Sequence, residues 1–268
     1  MRIHVSLLNM MYVYFMIDKN TPAFYNETKM KNGGKTPMET AKKVIMIAHK
    51  GYSGKYPENT ALAFKMAGEH GSGGAETDVR MTKDGVYVTH HDDEIRFADG
   101  TQWLISEHTF AELTEKPLKN DTTTDEVYLT SFRKYLEILR DYNMICFIEL
   151  KGPYTTEQVK GVFDLAAEVY DLKKCILQSF NFENLLEARS LFPDLPLMLT
   201  YGRNESHYER CFEHGFSIDV DQFVITQQML EEFHSRGLEV GVWTVNEEER
   251  VAFFKAMGVD YIESDYYC

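Results

Sequence analysis

The chain has 268 residues, of which 44% are hydrophobic and 13% aromatic, so it carries enough apolar side chain for a large core. This composition excludes a disordered or fibrous protein. A net charge of −14 at pH 7 leaves no broad basic surface for a phosphate backbone, so we expect no nucleic-acid partner. An anionic small substrate is compatible with this charge if a metal ion or a few lysines reverse the field locally.

Residues 1–40 lack sustained periodicity, and we interpret them as an N-terminal lead segment outside the core, with residues 41–268 as one folded domain. The apolar stretch Val5 to Ile17 is shorter than the ~20 residues that cross a bilayer, so we expect no membrane span. The cysteines form no C-x-x-C pair and predict buried free thiols in a cytoplasmic protein. They are Cys146, Cys175, Cys211 and Cys268.

From Val44 onward, short apolar runs of β type alternate with amphipathic stretches. The predicted strands are Val44 to His49, Gly74 to Val79, Met144 to Leu150, Lys174 to Phe180, Leu197 to Tyr201, Phe216 to Val220, Leu238 to Val245 and Val259 to Ser264. The predicted helices are Asn59 to His70, Ser131 to Tyr142, Thr156 to Tyr170, Asn181 to Leu191, Thr226 to Arg236 and Glu247 to Met257. This alternation predicts an α/β fold, and eight β units favour a (β/α)₈ TIM barrel over an open doubly wound sheet, since no G-x-G-x-x-G follows the first strand.

Two parts of the sequence depart from a regular barrel. Residues 86–130 contain one β-like run, Val86 to His90, and then a polar segment without a long helix, which predicts a short insertion after strand 2. The sequence ends soon after the last predicted strand, so we expect a truncated last βα unit. Helix N-caps are predicted at Thr155 or Thr156, at Asn181 and at Asn246.

Ionisable residues recur at the C-terminal ends of the first predicted strands, where barrel enzymes carry reactive groups. His49 ends the first strand, and Asn59 either caps the following helix or reaches into the barrel mouth. Glu76 and Asp78 are two residues apart on the second strand, so they point to the same side. Their repulsion would be relieved by a hard divalent cation such as Mg²⁺ or Ca²⁺, unless the pair faces outward into solvent.

Further ionisable residues follow the next two β runs. His90 and His91 are adjacent, so at most one of them is expected to enter the site, where a neighbouring aspartate could fix its tautomer. Glu149 and Lys151 lie two apart at the end of the third predicted barrel strand. They could complete a carboxylate triad and bind an anion, or form a structural ion pair across the barrel mouth.

Several segments resemble the glycerophosphodiester phosphodiesterase family in order and spacing. The first group is Ile47-Ala48-His49-Lys50-Gly51, Pro57-Glu58-Asn59-Thr60, Glu76-x-Asp78-Val79, Thr82-Lys83-Asp84-Gly85-Val86 and His91-Asp92. The later group is Ile148-Glu149-Leu150-Lys151, Gln178-Ser179-Phe180, Trp243-Thr244-Val245-Asn246, Gly258-Val259-Asp260 and Ser264-Asp265-Tyr266. The resemblance implies a bacterial-type, single-domain barrel of the PLC-like phosphodiesterase type that cleaves glycerophosphodiesters to sn-glycerol 3-phosphate and an alcohol.

The resemblance also implies roles for particular residues. It makes His49 and His91 the general acid/base pair. It implies one divalent metal ion as cofactor, Mg²⁺ or Ca²⁺, held by Glu76, Asp78 and Glu149. Lys50 and Lys151 would contact phosphate and Trp243 would form an apolar wall beside the glycerol, while Asn59 at the mouth is a further substrate-binding candidate. Phosphodiester hydrolysis needs charge neutralisation, a base and an acid, and this set supplies all three.

One residue departs from the family pattern, because Lys50 stands where the family usually has arginine and replaces a bidentate fork with a point charge. Two alternatives therefore stay open: a related phosphodiesterase acting on lysophospholipid or inositol-type lipids, and a non-catalytic phosphodiester-binding barrel. The expected partner is a small-molecule glycerophosphodiester. A homo-oligomer is also left open.

Overall fold

The computed structural model describes residues 43–267. The strands in this range are β1 Ile45–Ala48, β2 Gly74–Met81, β3 Tyr87–Thr89, β4 Glu94–Arg96, β5 Gln102–Leu104, β6 Thr130–Ser131, β7 Ile145–Leu150, β8 Cys175–Ser179, β9 Leu197–Tyr201, β10 Ser217–Asp221, β11 Val240–Trp243 and β12 Tyr261–Ser264. The helices are α1 Ala61–Glu69, α2 Phe110–Leu113, α3 Phe132–Tyr142, α4 Thr156–Val169, α5 Phe182–Leu191, α6 Arg210–His214, α7 Gln227–His234 and α8 Glu248–Met257.

Eight parallel strands close into a barrel. Their order is β1, β2, β7, β8, β9, β10, β11 and β12, and β1 pairs with both β2 and β12. All eight predicted strands are present, and the predicted (β/α)₈ TIM barrel is confirmed. Closure brings the C-terminal ends of distant strands around one mouth.

The inward-facing side chains change character along the barrel axis. Toward the N-terminal ends of the strands they are apolar and form a small core cluster of Ile47, Phe147, Ile176, Met198 and Tyr261. Toward the C-terminal ends the next inward positions are polar. Because side chains alternate along a strand, the polar layer rests directly on this apolar floor, while the outward faces pack against the helices.

The insertion after β2 is a compact β layer. β3 pairs antiparallel with the end of β2, β6 pairs with β3, and β4 and β5 form a hairpin. Its apolar residues form a core of their own: Val88, Ile95, Phe97, Ile105, Leu113, Leu118, Val127 and Leu129. The expectation of a polar segment was therefore wrong, because these residues are spaced too irregularly to show a period. The absence of a long helix was predicted correctly, since α2 has four residues.

The helix boundaries correct two further predictions. Thr155 and Asn181 cap their helices as expected. Asn246 does not, since the N-cap of α8 is Glu247 and the Asn246 amide donates to Asp265 instead. The short helix α6 was not predicted. Between β12 and Tyr267, the last described residue, there is no further helix.

Three cysteines, Cys146, Cys175 and Cys211, are buried and free, as predicted, while Cys268 lies outside the described residues. The lead segment, including Val5 to Ile17, also lies outside them. Within residues 43–267, every helix is too short or too polar to cross a membrane.

Candidate active site

Three carboxylates meet at the barrel mouth. Glu76 and Asp78 lie on β2, and Asp78 is in register with Glu149 on β7. Each is at most 8% exposed, and one oxygen from each lies within 4.8 Å of the other two. Burial and the neighbouring carboxylates raise the pKa of Glu76 well above its ordinary value. Burial likewise raises the pKa of Glu149. The predicted cluster is thus brought together and oriented inward.

Lys151 supplies positive charge to this cluster. Its Nζ lies 2.9 Å from Asp78 Oδ1 and 2.6 Å from Glu149 Oε1. Burial alone would raise the pKa of Asp78, but the Lys151 and Lys50 charges outweigh it and hold that pKa below the ordinary value. When all groups are ionised, one ammonium against three carboxylates leaves two negative charges, which a divalent cation would balance.

The donor set fits a hard divalent cation. Glu76 Oε2 accepts a hydrogen bond of 2.9 Å from the Lys50 backbone N–H. Glu76 Oε1 is buried and accepts none from the described residues. A buried oxygen without a donor is costly unless a cation satisfies it. Carboxylate oxygens are preferred by Mg²⁺ and Ca²⁺.

The turn after β1 places Lys50. Its φ of +56° is left-handed, and the following Gly51 has no room for a Cβ atom, which would lie 2.7 Å from the Ala63 carbonyl carbon. Lys50 Nζ lies 3.3 Å from Glu58 Oε2. Burial lowers the pKa of Lys50, but the carboxylates around it raise the pKa by more, so the side chain stays charged. The tight turn thus presents both an N–H and an ammonium group at the mouth.

Asn59 holds a metal-ligand candidate in place. It is 2% exposed, and its Nδ2 donates to Asp78 Oδ2 at 2.8 Å. Its Oδ1 accepts from Thr77 Oγ1 at 2.7 Å. Of the two roles considered for Asn59, helix capping falls to Thr60, whose hydroxyl accepts from the Ala63 N–H. The Asn59 amide is therefore committed to β2.

His49 is paired with a carboxylate that sequence reasoning missed. Its Nδ1 lies 2.7 Å from Asp265 Oδ1, and Asp265 also accepts from Asn246 Nδ2 at 2.6 Å and Ser53 Oγ at 3.0 Å. Burial would raise the pKa of Asp265, but the hydrogen bonds from these three residues lower it below the ordinary value. Asp265 is thus ionised and accepts a hydrogen bond from Nδ1–H, and in the neutral imidazole this tautomer leaves the Nε2 lone pair available. The only sequence signal for Asp265 was its position in the last family-like segment.

His91 has the same kind of pairing. Its Nδ1 lies 2.8 Å from Asp92 Oδ1, and its side chain is 43% exposed. That hydrogen bond lowers the pKa of Asp92, so a carboxylate again accepts from Nδ1. His90 Nδ1 instead contacts the backbone oxygen of Asp92 at 2.9 Å, and burial lowers the pKa of His90. The two adjacent histidines therefore have different partners.

An open cavity and an aromatic wall complete the mouth. The cavity is about 450 Å³ and lies between the β1–α1 connection and the insertion, with Glu58 and His91 in its lining. Trp243 donates through Nε1 to the Asp219 backbone oxygen at 3.1 Å. Its ring meets Phe180 edge to face, with centroids 5.7 Å apart. Phe180, 40% exposed, was not predicted as a site residue.

A second polar group in the barrel interior was also missed. Gln178 Nε2 donates to Asp219 Oδ2 at 2.9 Å and to Glu263 Oε1 at 2.7 Å. All three side chains are at most 3% exposed. Burial raises the pKa of both Asp219 and Glu263 well above ordinary carboxyl values. The sequence signal for this group was the position of Gln178 in a family-like segment, because single polar residues inside otherwise apolar strands form no periodic pattern.

The sequence model of the Glycerophosphoryl diester phosphodiesterase family matches residues 49–267. The chain belongs to this family. The glycerophosphodiester phosphodiesterase of Caldanaerobacter subterraneus is 28% identical over 231 residues, which cover 83% of this chain and 94% of the relative. Human glycerophosphodiester phosphodiesterase 1 is 23% identical over 261 residues, which cover 82% of this chain and 77% of the human protein.

Solved structures of the glycerophosphoryl diester phosphodiesterase type share the barrel. An Oleispira antarctica phosphodiesterase, solved with its product sn-glycerol-3-phosphate, superposes with a TM-score of 0.75 at 25% identity, covering 84% of this chain and 94% of the other. The Thermotoga maritima glycerophosphodiester phosphodiesterase superposes with a TM-score of 0.67 at 28% identity, covering 83% of this chain and 94% of the other. Membership of the glycerophosphoryl diester phosphodiesterase family confirms the predicted enzyme class, a phosphoric diester hydrolase.

Proposed function

We propose that this chain cleaves glycerophosphodiesters to sn-glycerol 3-phosphate and an alcohol, and that the reaction requires one divalent metal ion held by Glu76, Asp78 and Glu149. The observation that carries the proposal is a buried carboxylate cluster with uncompensated charge at the same barrel mouth as two carboxylate-paired histidines. The product bound to the Oleispira antarctica relative supports the substrate class.

Charge neutralisation is shared between the cofactor and two lysines. Bound Mg²⁺ or Ca²⁺ supplies Lewis-acid stabilisation of charge on the phosphate oxygens. Lys151, held by Asp78 and Glu149, and Lys50, held by Glu58, present ammonium groups for the non-bridging oxygens. Lys50 acts as a point charge and does not impose the planar fork geometry of arginine.

Two histidines move the protons. His49 accepts the proton of the attacking hydroxyl at Nε2, and the Asp265 carboxylate stabilises the resulting imidazolium. A new bond forms between phosphorus and the attacking oxygen, and the bond from phosphorus to the leaving alcohol oxygen breaks. His91, paired with Asp92, donates a proton to that oxygen. The attacking hydroxyl belongs either to water or to the glycerol moiety, and in the second case a cyclic phosphate forms that a water molecule then opens to glycerol 3-phosphate. A substrate lacking the glycerol 2-hydroxyl separates the two routes.

The mouth favours a small polar substrate. Trp243 and Phe180 provide an apolar wall for the glycerol moiety, and Asn59 keeps Asp78 oriented. Two large apolar residues of the insertion, Phe97 and Ile105, are buried in its own core and are not available to an acyl chain. This arrangement supports a headgroup diester over a lysophospholipid.

The test is an assay with the EDTA-stripped protein. We expect glycerophosphocholine to yield glycerol 3-phosphate only after Mg²⁺ or Ca²⁺ is added back. Absence of product with both ions, in protein whose circular dichroism is unchanged, would favour the non-catalytic phosphodiester-binding barrel and contradict the proposal.

We further propose that residues 41–268 form the catalytic domain and that the protein acts in the cytoplasm. All barrel strands fall between Ile45 and Ser264, which supports the domain boundary. The free thiols of Cys146 and Cys175, on paired strands, support a reducing compartment.

A further inference from the structure

A second set of potential metal ligands lies beside the three-carboxylate cluster. One ligand atom each of His49, Glu76 and Glu263 lies within 4.8 Å of the other two. These residues come from β2, from β12 and from the end of β1, which pairs with both strands. Glu76 belongs to both sets. The second set differs chemically from the first because it includes an imidazole nitrogen.

Each ligand of this set is oriented by a neighbour. His49 Nδ1 donates to Asp265, so Nε2 is the nitrogen available to a metal. A histidine whose other nitrogen is bonded to a carboxylate is the usual arrangement in metal sites. Glu263 Oε1 accepts from Gln178 Nε2 at 2.7 Å. Glu76 Oε1 is buried without a donor among the described residues, and because Glu76 belongs to both sets this oxygen is open to a cation in either one.

Glu263 lacks a charged partner in the described part of the chain, where its hydrogen bond comes from a neutral amide. It is 3% exposed, and Asp219 shares the same amide. Burying a carboxylate with only a neutral donor is costly, whereas a bound cation offsets that cost. This second observation points to a bound cation beside the His49 imidazole.

We propose that His49, Glu76 and Glu263 form an inhibitory site for a transition-metal ion, with Zn²⁺ the best fit. One imidazole and two carboxylates suit zinc, whereas the oxygen-only set suits Mg²⁺ or Ca²⁺. Zinc on Nε2 occupies the lone pair that would accept the substrate proton. Zinc therefore inhibits the enzyme that Mg²⁺ or Ca²⁺ activates. The inhibition rests on the proposed function, but zinc binding does not.

Zinc binding is measured on the full chain, stripped of metal and then saturated with Mg²⁺. We expect one zinc per chain and an imidazole signal in zinc-edge X-ray absorption. Glu263→Gln should weaken zinc binding at least about tenfold, and His49→Ala should abolish the imidazole signal. Asp219→Asn is the matched control, because Asp219 shares the Gln178 amide but is outside the ligand set; it should bind zinc like the wild type.

The same zinc titration is repeated during turnover. We expect the inhibition constant of the wild type to match its zinc dissociation constant. Glu263→Gln should keep its Mg²⁺-supported activity. Its inhibition constant for zinc should rise by the same factor as its zinc dissociation constant.

Four results would overturn the proposal: equal zinc affinity in Glu263→Gln and wild type, an oxygen-only zinc shell, an imidazole signal that persists in His49→Ala, or an equal loss of affinity in Asp219→Asn. Circular dichroism melts establish that each variant is folded. If the wild type shows no turnover of glycerophosphocholine, the proposed function fails while the binding and absorption measurements still decide the zinc site.

Discussion

The pairing of each mouth histidine with a carboxylate is the feature on which the proposed proton transfers depend. Asp265 binds Nδ1 of His49 and is itself held by Asn246 and Ser53. A carboxylate at this position favours the His49 tautomer with the proton on Nδ1 and the lone pair on Nε2. An amide of the same shape can donate to Nδ1 and so favour the opposite tautomer, with the proton on Nε2.

We therefore expect Asp265→Asn to lower kcat on the order of 10²- to 10⁴-fold with little change in KM. Steady-state kinetics on glycerophosphocholine with saturating Mg²⁺ check this. Asn246→Ala, which leaves the carboxylate in place, should have a much smaller effect. Equal kcat in wild type and Asp265→Asn would remove Asp265 from the mechanism.

The adjacent histidines offer a second residue-scale prediction. His91→Ala should lower kcat by about 10²- to 10⁴-fold because it removes the proposed acid. His90→Ala should be nearly silent, because among the described residues the His90 ring is hydrogen-bonded to the Asp92 backbone oxygen and not to a carboxylate. The same assay measures both. An inactive His90→Ala beside an active His91→Ala would exchange the two assignments.

The candidate residues that sequence reasoning reached share a local pattern. Each pair of these residues lies two positions apart at the end of an apolar strand, so a single short segment of sequence shows the pattern. The pairs are Glu76 with Asp78 and Glu149 with Lys151. Asp265 is 216 residues from His49, and Glu263 is 85 from Gln178. These pairings depend on barrel closure, so no local pattern could have indicated which residues meet.

At the scale of elements, the barrel strands were predictable and the insertion was not. Strands buried on both faces give continuous apolar runs, and each of the eight was located. The insertion uses strands of two or three residues whose apolar side chains meet only after folding. Helix N-caps were predicted correctly where the capping side chain had no competing partner. The prediction failed at Asn246, because its side-chain oxygen accepts a hydrogen bond from the Asp265 backbone N–H instead.

The separate core of the insertion predicts a separable loss of stability. Phe97 is fully buried there, so Phe97→Ala should cost about 3–5 kcal/mol. We expect faster hydrogen exchange in residues 86–130 and little change in β8 to β10, as measured by mass spectrometry. Activity should fall as well, since His91 is attached to this layer. A uniform acceleration across the barrel would contradict an independent core.

At the scale of the whole molecule, the barrel interior carries more carboxylates than cations can balance. Burial raises the pKa values of Glu76, Asp219 and Glu263, so the folded protein binds more protons than the unfolded chain above the ordinary carboxyl pKa. The free energy of unfolding of the metal-free protein should therefore fall as pH rises from about 4.5 to 8. The lowered pKa values of Asp78 and Asp265 act below this window, and the lowered pKa of His90 opposes the decline inside it with one group against three.

Urea unfolding across that pH range, with and without Mg²⁺, measures the effect. A bound divalent cation should flatten the decline, because it replaces the protons as the counter-charge. Stability that increases with pH in the metal-free protein would mean that these carboxylates are ionised and compensated in the fold.

The pairing of β1 with β12 has a consequence for synthesis of the chain on the ribosome. The last barrel strand to emerge, β12, seals the barrel and brings Asp265, which follows it directly, to the mouth. A nascent chain that stops before β12 leaves two strand edges open, at β1 and β11, and such edges promote aggregation. Competence for catalysis and protection from aggregation therefore arrive together, once β12 has emerged, and a product that terminates before β12 gains neither.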